Sequence, residues 1–373
     1  MRTVQPCTMI GAYAFDQDRV PRDEFQIRIA ALNGVMDRMA CKAVLIYGDA
    51  REHSELAYFT NFIPRHRWAL ALLPRRGDVR LLISMSSRDM PAQRLMTFIP
   101  DVFSAWTWDK GFDPWLATLG PDGDIGTLRF DLMRPALREQ VDGSLGNRFR
   151  LVAADAEVTA LRRTRPREIS LVRAACEVAR VGAEAFAQAW HKGAGAETAA
   201  LAGERAARGL AAQDVRTLVS FDAGRTLAPF RGTFAPREGL LLGYIAVKHK
   251  GYWAESFLSA SDGPSDIHTR AQAGLEAALR LAAPGIRAAD LHADAMRALG
   301  PSPLHPVLGT SVGRRIGFSA HEGGELTADA THVLDTGDVY ALHVGARDVQ
   351  GGAIASAMVT ITPHGSEVLV RAP

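Results

Sequence analysis

Apolar and polar residues run along this chain in patterns that switch between a helical and a strand period, and the switches divide it into two regions. The plainest stretch is LLLGYIAVKHKGYWAESFLSA, residues 240–260. Residues 240–247 are apolar and β-prone, 248–251 supply a polar turn, and 252–260 are rich in aromatics, which predicts two paired strands. With the turn centred between His249 and Lys250, Val247 faces Tyr252 and Tyr244 faces Glu255, placing two polar side chains on one face.

Upstream, apolar residues recur near helical spacing over 24–39, and Lys42-Ala43-Val44-Leu45-Ile46-Tyr47 reads as a strand. Strands are predicted over 68–73 and 79–83 around the turn Pro74-Arg75-Arg76-Gly77-Asp78. A short helix over 89–96, a strand over 127–130 and a helix over 135–141 follow. This alternation predicts an α/β N-terminal domain over residues 1–155. Beyond it, Pro166 suits the first turn of a long helix, with Ile169, Val172, Ala175, Cys176 and Ala179 at helical spacing. Further helices over 197–212, 265–281 and 288–299, set around antiparallel strands, predict an α+β C-terminal domain over 156–373.

At 373 residues, with 47% hydrophobic and 23% charged, the chain is long enough for two domains with real cores. The net charge of +2 is the small difference of 43 basic and 41 acidic residues, and no dense Lys/Arg run is present. A mixed solvated surface follows, with no nucleic-acid or membrane partner expected. The N-terminal stretch lacks the uninterrupted apolar core of a secretory signal, and no run approaches the roughly 20 apolar residues of a membrane span. Cys7, Cys41 and Cys176 are isolated thiols without zinc or disulfide spacing, so a cytoplasmic location is the expectation. Ser220, Ser311 and Ser356 lack a nucleophile-elbow context.

Several motifs, in order, resemble those of the creatinase, prolidase and methionine aminopeptidase superfamily. They are Thr164-Arg165-Pro166-Arg167-Glu168 at the helix entry, Val219-Ser220-Phe221-Asp222-Ala223-Gly224-Arg225, and Gly251-Tyr252 in the hairpin. Gly313-Arg314-Arg315-Ile316-Gly317 with His321-Glu322 follows, then Gly337–His343 with Gly351-Gly352-Ala353-Ile354-Ala355-Ser356. In the first region, Tyr58-Phe59-Thr60-Asn61-Phe62 and Pro64-Arg65-His66-Arg67-Trp68 resemble the creatinase N-terminal domain. The resemblance implies a pita-bread fold for the C-terminal domain. It also implies a homodimer in which the N-terminal domain of one subunit lies near the active site of the other, bringing Arg65 or Arg67 to a substrate carboxylate. A solvated basic loop is the competing reading of those two arginines.

The same resemblance implies five metal-ligand positions, ordinarily Asp, Asp, His, Glu and Glu, which hold Tyr244, Glu255, Arg314, His343 and Ser356 here. Paired as a second hairpin, His343 and Ser356 face each other. Phe230 stands where creatinase has its proton-shuttling histidine, and a phenyl ring transfers no proton. Only Glu255 and His343 are ordinary ligands, and Arg314 sets a permanent positive charge beside any cation. Hydrolytic metal sites want three protein ligands. The expectation is therefore a metal-independent, creatinase-like branch with a degenerate metal site and no cofactor; a mononuclear site on Glu255 and His343 is the alternative.

Within such a cleft His321 is the expected general acid or base. Glu255 would orient it, activate water or hold a cationic group, and Arg314 would hold a carboxylate or a developing oxyanion. Tyr244 and His343 would donate hydrogen bonds or relay a proton. Glu322, Phe230, Ser356, Arg65 and Arg67 complete the expected substrate-binding set. Against these roles stand a structural His321 and a Glu255–Arg314 salt bridge that only replaces the ions. Two functions follow. One is a metal-independent hydrolase acting on a C–N or related bond of a small polar metabolite, with lyase, isomerase or cyclase chemistry also open. The other is a catalytically inactive pita-bread binding protein.

Overall fold

The computed structural model describes residues 15–65, 67–162, 164–232 and 239–373. Cys7 and the rest of 1–14 lie outside the described residues, as does His66. Two compact units form, Met1–Arg163 and Thr164–Pro373. The division falls further along the chain than 155/156, because the short helix after 154 belongs to the first unit: its Val158 is buried and Asp155 accepts the Arg129 N–H at 2.9 Å.

In the first unit, α1 (Arg22–Met39) buries Phe25, Leu32, Val35 and Met36 on one face, and ends where Ala40 takes a φ of 55°. The chain then enters β1 (Cys41–Asp49), apolar and buried along nearly its whole length, as expected for a central strand covered on both faces. After α2 (Ser54–Thr60), β2 (Trp68–Pro74) and β3 (Arg80–Ile83) come α3 (Met90–Gln93), β4 (Asp101–Ser104), α4 (Trp108–Ala117), β5 (Gly123–Leu128), α5 (Pro135–Leu145), β6 (Phe149–Ala153) and α6 (Asp155–Thr159). The six strands form one mixed sheet in the order β4-β3-β2-β1-β5-β6. Leu45, Tyr47, Leu70 and Leu72 share a core with Phe112, Trp115 and Val141 of α4 and α5.

The α/β class holds, with corrections of detail. The strand expected at 127–130 lies at Gly123–Leu128, because Arg129 takes a left-handed φ of 61° that ends it. Helix α2 is buried at every residue and so shows no amphipathic period to detect.

The second unit begins with α7 (Pro166–His191), whose Glu168 carboxylate accepts the Arg165 N–H at 2.9 Å and the Tyr252 hydroxyl at 2.7 Å. Helix α8 (Ala196–Gly209) follows, then β7 (Asp214–Val219), β8 (Leu240–His249) and β9 (Tyr252–Ser261), which make an antiparallel sheet in the order β7-β8-β9. Helices α9 (Asp266–Leu281) and α10 (Ala288–Leu299) precede β10 (Gly313–Arg315), β11 (Val339–Arg347), β12 (Gly352–Thr362) and β13 (Gly365–Arg371), an antiparallel sheet in that order. Leu275 and Leu291 of α9 and α10 pack with Tyr340, Leu342 and Val344 of β11. This is the α+β arrangement expected.

Where β9 meets β12 the two sheets are stitched by side chains. Ser356 Oγ accepts the Phe257 N–H at 2.8 Å and donates to the Phe257 carbonyl at 3.0 Å, while Ser259 Oγ does the same with Ile354 at 2.9 and 3.0 Å. Among the described residues no helix is long and apolar enough to cross a membrane.

Candidate functional site

The first hairpin turns at Lys250-Gly251, with φ of 47° and 90°, so both central residues take the left-handed values of a tight hairpin turn. The turn centre expected between His249 and Lys250 is therefore corrected: His249 pairs with Tyr252, and Tyr244 lies opposite Phe257. Because the partner shifts by two residues, every side chain keeps its face. Tyr244 reaches Glu255 on the diagonal, its hydroxyl donating to Oε2 at 2.7 Å. In the second hairpin His343 does lie opposite Ser356.

Arg314 projects from β10 between the two hairpins. Its Nη2 donates to both Glu255 oxygens at 2.8 and 2.9 Å, its Nη1 to His343 Nε2 at 3.0 Å, and its Nε to the Ala320 carbonyl at 3.1 Å. His343 Nε2 also lies 3.4 Å from Glu255 Oε1. The side chains of Glu255 and His343 are only 1% and 3% exposed, against 23% for Arg314. Arg314 is thus the most exposed of these three side chains. Behind it, the Phe257 ring lies between Tyr244 and His343, with centroids 4.8 and 5.1 Å away, and Met358 Sδ accepts the Glu255 N–H at 3.3 Å. Leu242, Phe257 and Ile354 form an adjoining apolar wall, against which Leu227, Tyr244 and Leu308 are partly buried.

These contacts set protonation states. Burial lifts the Glu255 carboxyl above its ordinary value, opposed by the Arg314 charge and by the hydrogen bond from Tyr244. Burial, reinforced by the Glu255 charge, pushes the Tyr244 phenol well up, so it stays protonated and acts as a donor. Burial, then the Arg314 charge, holds His343 well below the ordinary imidazole value. A neutral imidazole that accepts from a guanidinium at Nε2 must carry its proton on Nδ1. That Nδ1 is buried with no hydrogen-bond partner among the described residues.

The remaining expected residues are placed differently. His321 does not join the buried cluster: its side chain is 58% exposed and Nε2 lies 2.6 Å from Glu325 Oε1. It follows directly on Ala320, the residue whose carbonyl holds Arg314. Glu322 folds back on its own loop, with Oε1 accepting the Ser319 N–H at 3.1 Å. Ser356 spends its hydroxyl on Phe257. Phe230 is half-buried, just before Arg231 and Gly232, whose N–H groups bond the Glu197 carboxylate. Arg65 and Arg67 lie in the first unit, ahead of β2, with Arg67 exposed.

Sequence reasoning missed Glu325, Phe257 and Met358. The signals were present: a carboxylate four residues beyond His321, and strand alternation that puts Phe257 on the face of Glu255. As for metals, no group of three or more His, Cys, Asp or Glu side chains among the described residues is disposed to hold one.

Residues 170–363 match the model of metallopeptidase family M24. Among solved structures, the chain is similar to the prolidase of Pyrococcus horikoshii, at 18% identity and a TM-score of 0.76, over 93% of this chain and 99% of that one. It is similar to an X-Pro aminopeptidase of Thermotoga maritima at 19% identity and a TM-score of 0.76, covering 92% and 98%. A dipeptidase of Mycobacterium ulcerans matches at 18% identity and a TM-score of 0.72, covering 97% and 98%. At such identities the likeness establishes the fold, pita-bread with an α/β N-terminal domain. No curated protein sequence matches.

Proposed function

The chain belongs to metallopeptidase family M24, whose reaction class is hydrolysis, and from that premise we propose that it hydrolyses a C–N or related bond of a small polar metabolite without a resident metal. The observation that carries this reading is the Arg314 guanidinium, bonded at once to Glu255 and His343. These are the two ordinary ligands of the degenerate site, and the donor set does not fit a divalent ion. Glu255 has a donor on each oxygen, the His343 lone pair at Nε2 is already taken, and a cation would meet a fixed positive charge at hydrogen-bond distance.

In this reading Arg314, more exposed than Glu255 and His343, holds the substrate oxygen that gains negative charge; Glu255 and His343 hold Arg314 in place, and Tyr244 fixes Glu255. His321 is the acid and base. Donating Nε2–H to Glu325 orients the ring and leaves Nδ1 as a lone pair, the arrangement that lets an imidazole take a proton from attacking water and return it to the leaving nitrogen. A homodimer with Arg65 or Arg67 of one subunit near the other's cleft, and a cytoplasmic setting, belong to the same proposal.

A second reading, a binding protein without catalysis, is favoured by the closure of the cluster on itself, since both Glu255 oxygens already accept bonds from Tyr244 and Arg314. Turnover of small amide, amidine and guanidino compounds by chelator-treated protein separates the two. The hydrolase reading expects turnover that survives chelation and falls at least about 100-fold in His321→Ala. Binding without turnover, with affinity indifferent to His321→Ala, favours the second. Turnover that chelation abolishes and a divalent ion restores contradicts both.

A further inference from the structure

A cavity of about 420 Å³ opens on the first unit. It is built by strand pairing: Asp49 at the end of β1 faces Trp68 at the start of β2, and the Ala50 N–H bonds the Arg67 carbonyl at 3.2 Å. Around this corner stand Tyr47, Asp49, Arg51, Arg67, Trp68 and, from the residue that caps the start of α5, Arg134. Three arginines therefore line one concavity with a single acidic residue, Asp49.

That carboxylate is turned towards its own turn. Asp49 Oδ1 accepts the backbone N–H groups of Arg51 and Glu52 at 2.8 and 3.0 Å, and the carboxylate is also hydrogen-bonded to the Tyr47 hydroxyl. Other arginines of the unit hold carboxylates: Arg129 lies 3.4 Å from Glu52, Arg162 lies 3.7 Å from Glu55, and Arg138, one turn along α5 from Arg134, lies 2.9 Å from Asp142. Arg51, Arg67 and Arg134 are all exposed and none has an acidic partner among the described residues.

Like charges gathered in a concavity raise the local potential and attract anions, and a guanidinium matches an oxyanion with two parallel N–H donors. The volume is that of a small-molecule site, and the half-buried Trp68 adds an aromatic side chain to its lining. We propose that this cavity is a binding site for a small, multiply charged oxyanion, of phosphate or polycarboxylate type, gripped by Arg51, Arg67 and Arg134. The site lies within the first unit and does not depend on the chemistry at Arg314; it takes Arg67 for this cavity, which leaves Arg65 as the arginine for a partner's cleft.

The test is calorimetric titration of the full chain with inorganic phosphate and, separately, with citrate, at matched ionic strength. The same titrations are run on the triple variant Arg51→Gln/Arg67→Gln/Arg134→Gln, whose thermal melt without added anion should match that of the parent. Saturable one-to-one binding with a Kd below about 1 mM for at least one anion, weakened tenfold or more in the triple variant, is the expected result; the stronger of the two names the phosphoryl or carboxylate source. Absence of saturable binding for both anions overturns the proposal, as does equal affinity in the triple variant. Conversion of a dimer to a monomer by the triple substitution, seen in sedimentation with neither anion bound by the parent, would instead assign the arginines to a second copy of the chain and also overturns it.

Discussion

Arg314 lies between a buried carboxylate and a buried imidazole and bonds both, whereas Arg51, Arg67 and Arg134 line an open cavity and none has an acidic partner among the described residues. The difference follows from water. A guanidinium next to Glu255, itself 1% exposed, has lost most of its hydration, so the fold must satisfy it. An exposed guanidinium keeps its hydration and can stay uncommitted at little cost. One arrangement ties an arginine to its neighbours in the fold before any substrate arrives; the other leaves its arginines without an acidic partner among the described residues.

The largest expected effect falls on the buried side. Arg314→Met strands Glu255 without its counter-charge and should cost about 3–5 kcal/mol in chemical denaturation. Glu255→Gln added to it should recover much of that loss, since a buried pair depends on its two members jointly. A single-variant cost under about 1 kcal/mol would erase the contrast between the two sets of arginines. Next, Ser356→Ala should cost about 1–3 kcal/mol, because it strands the Phe257 N–H and carbonyl between the sheets. A cost near zero would mean the stitch is not what joins β9 to β12.

A smaller effect appears on acidification. His343 is neutral in the fold, its value held below the ordinary 6.5, while the unfolded chain takes up the proton. Its contribution is complete above 6.5 and is lost as pH falls below that towards the folded value, at up to about 1.4 kcal/mol per pH unit. Glu255, raised from 4.5, works the other way, losing stability as pH rises through its folded value. Comparison of the parent with His343→Gln therefore isolates the imidazole: relative to the variant, the parent should lose stability as pH falls below 6.5. Identical slopes would place a charged His343 in the fold. Smallest of all, Arg134→Gln should change stability by less than about 0.5 kcal/mol; a larger loss would show that the cavity arginines also serve the fold.

How much of this the sequence disclosed depended on what each signal encodes. The two hairpins of the second unit were legible because their apolar runs and their turns are local, whereas β7, β10 and β13 were not read as strands. The β11–β12 pairing came out in register, so His343 and Ser356 were placed opposite one another. The β8–β9 pairing was displaced by two residues because Lys250 takes a left-handed φ with nothing in its chemistry to announce it. The polar cluster was legible as a set of motif positions, and Tyr244, Glu255, Arg314 and His343 do meet.

Side-chain direction was not legible. His321 is adjacent to the residue that holds Arg314, yet its ring turns to Glu325, and Ser356 turns from the cleft to the neighbouring strand. In the first unit, α2 escaped notice because burial on every side removes periodicity. The arginine cavity escaped because its residues are brought together by strand pairing across long stretches of chain.

The central claim is that an organic cation, Arg314, stands where a divalent ion would otherwise bind Glu255 and His343. Calorimetric titration of chelator-treated protein with Mn²⁺ and Zn²⁺, paired with elemental analysis, tests it most directly. The account predicts no stoichiometric metal in the purified protein and no saturable heat that depends on Glu255. One or two equivalents bound tightly by the parent and lost in Glu255→Gln would contradict it.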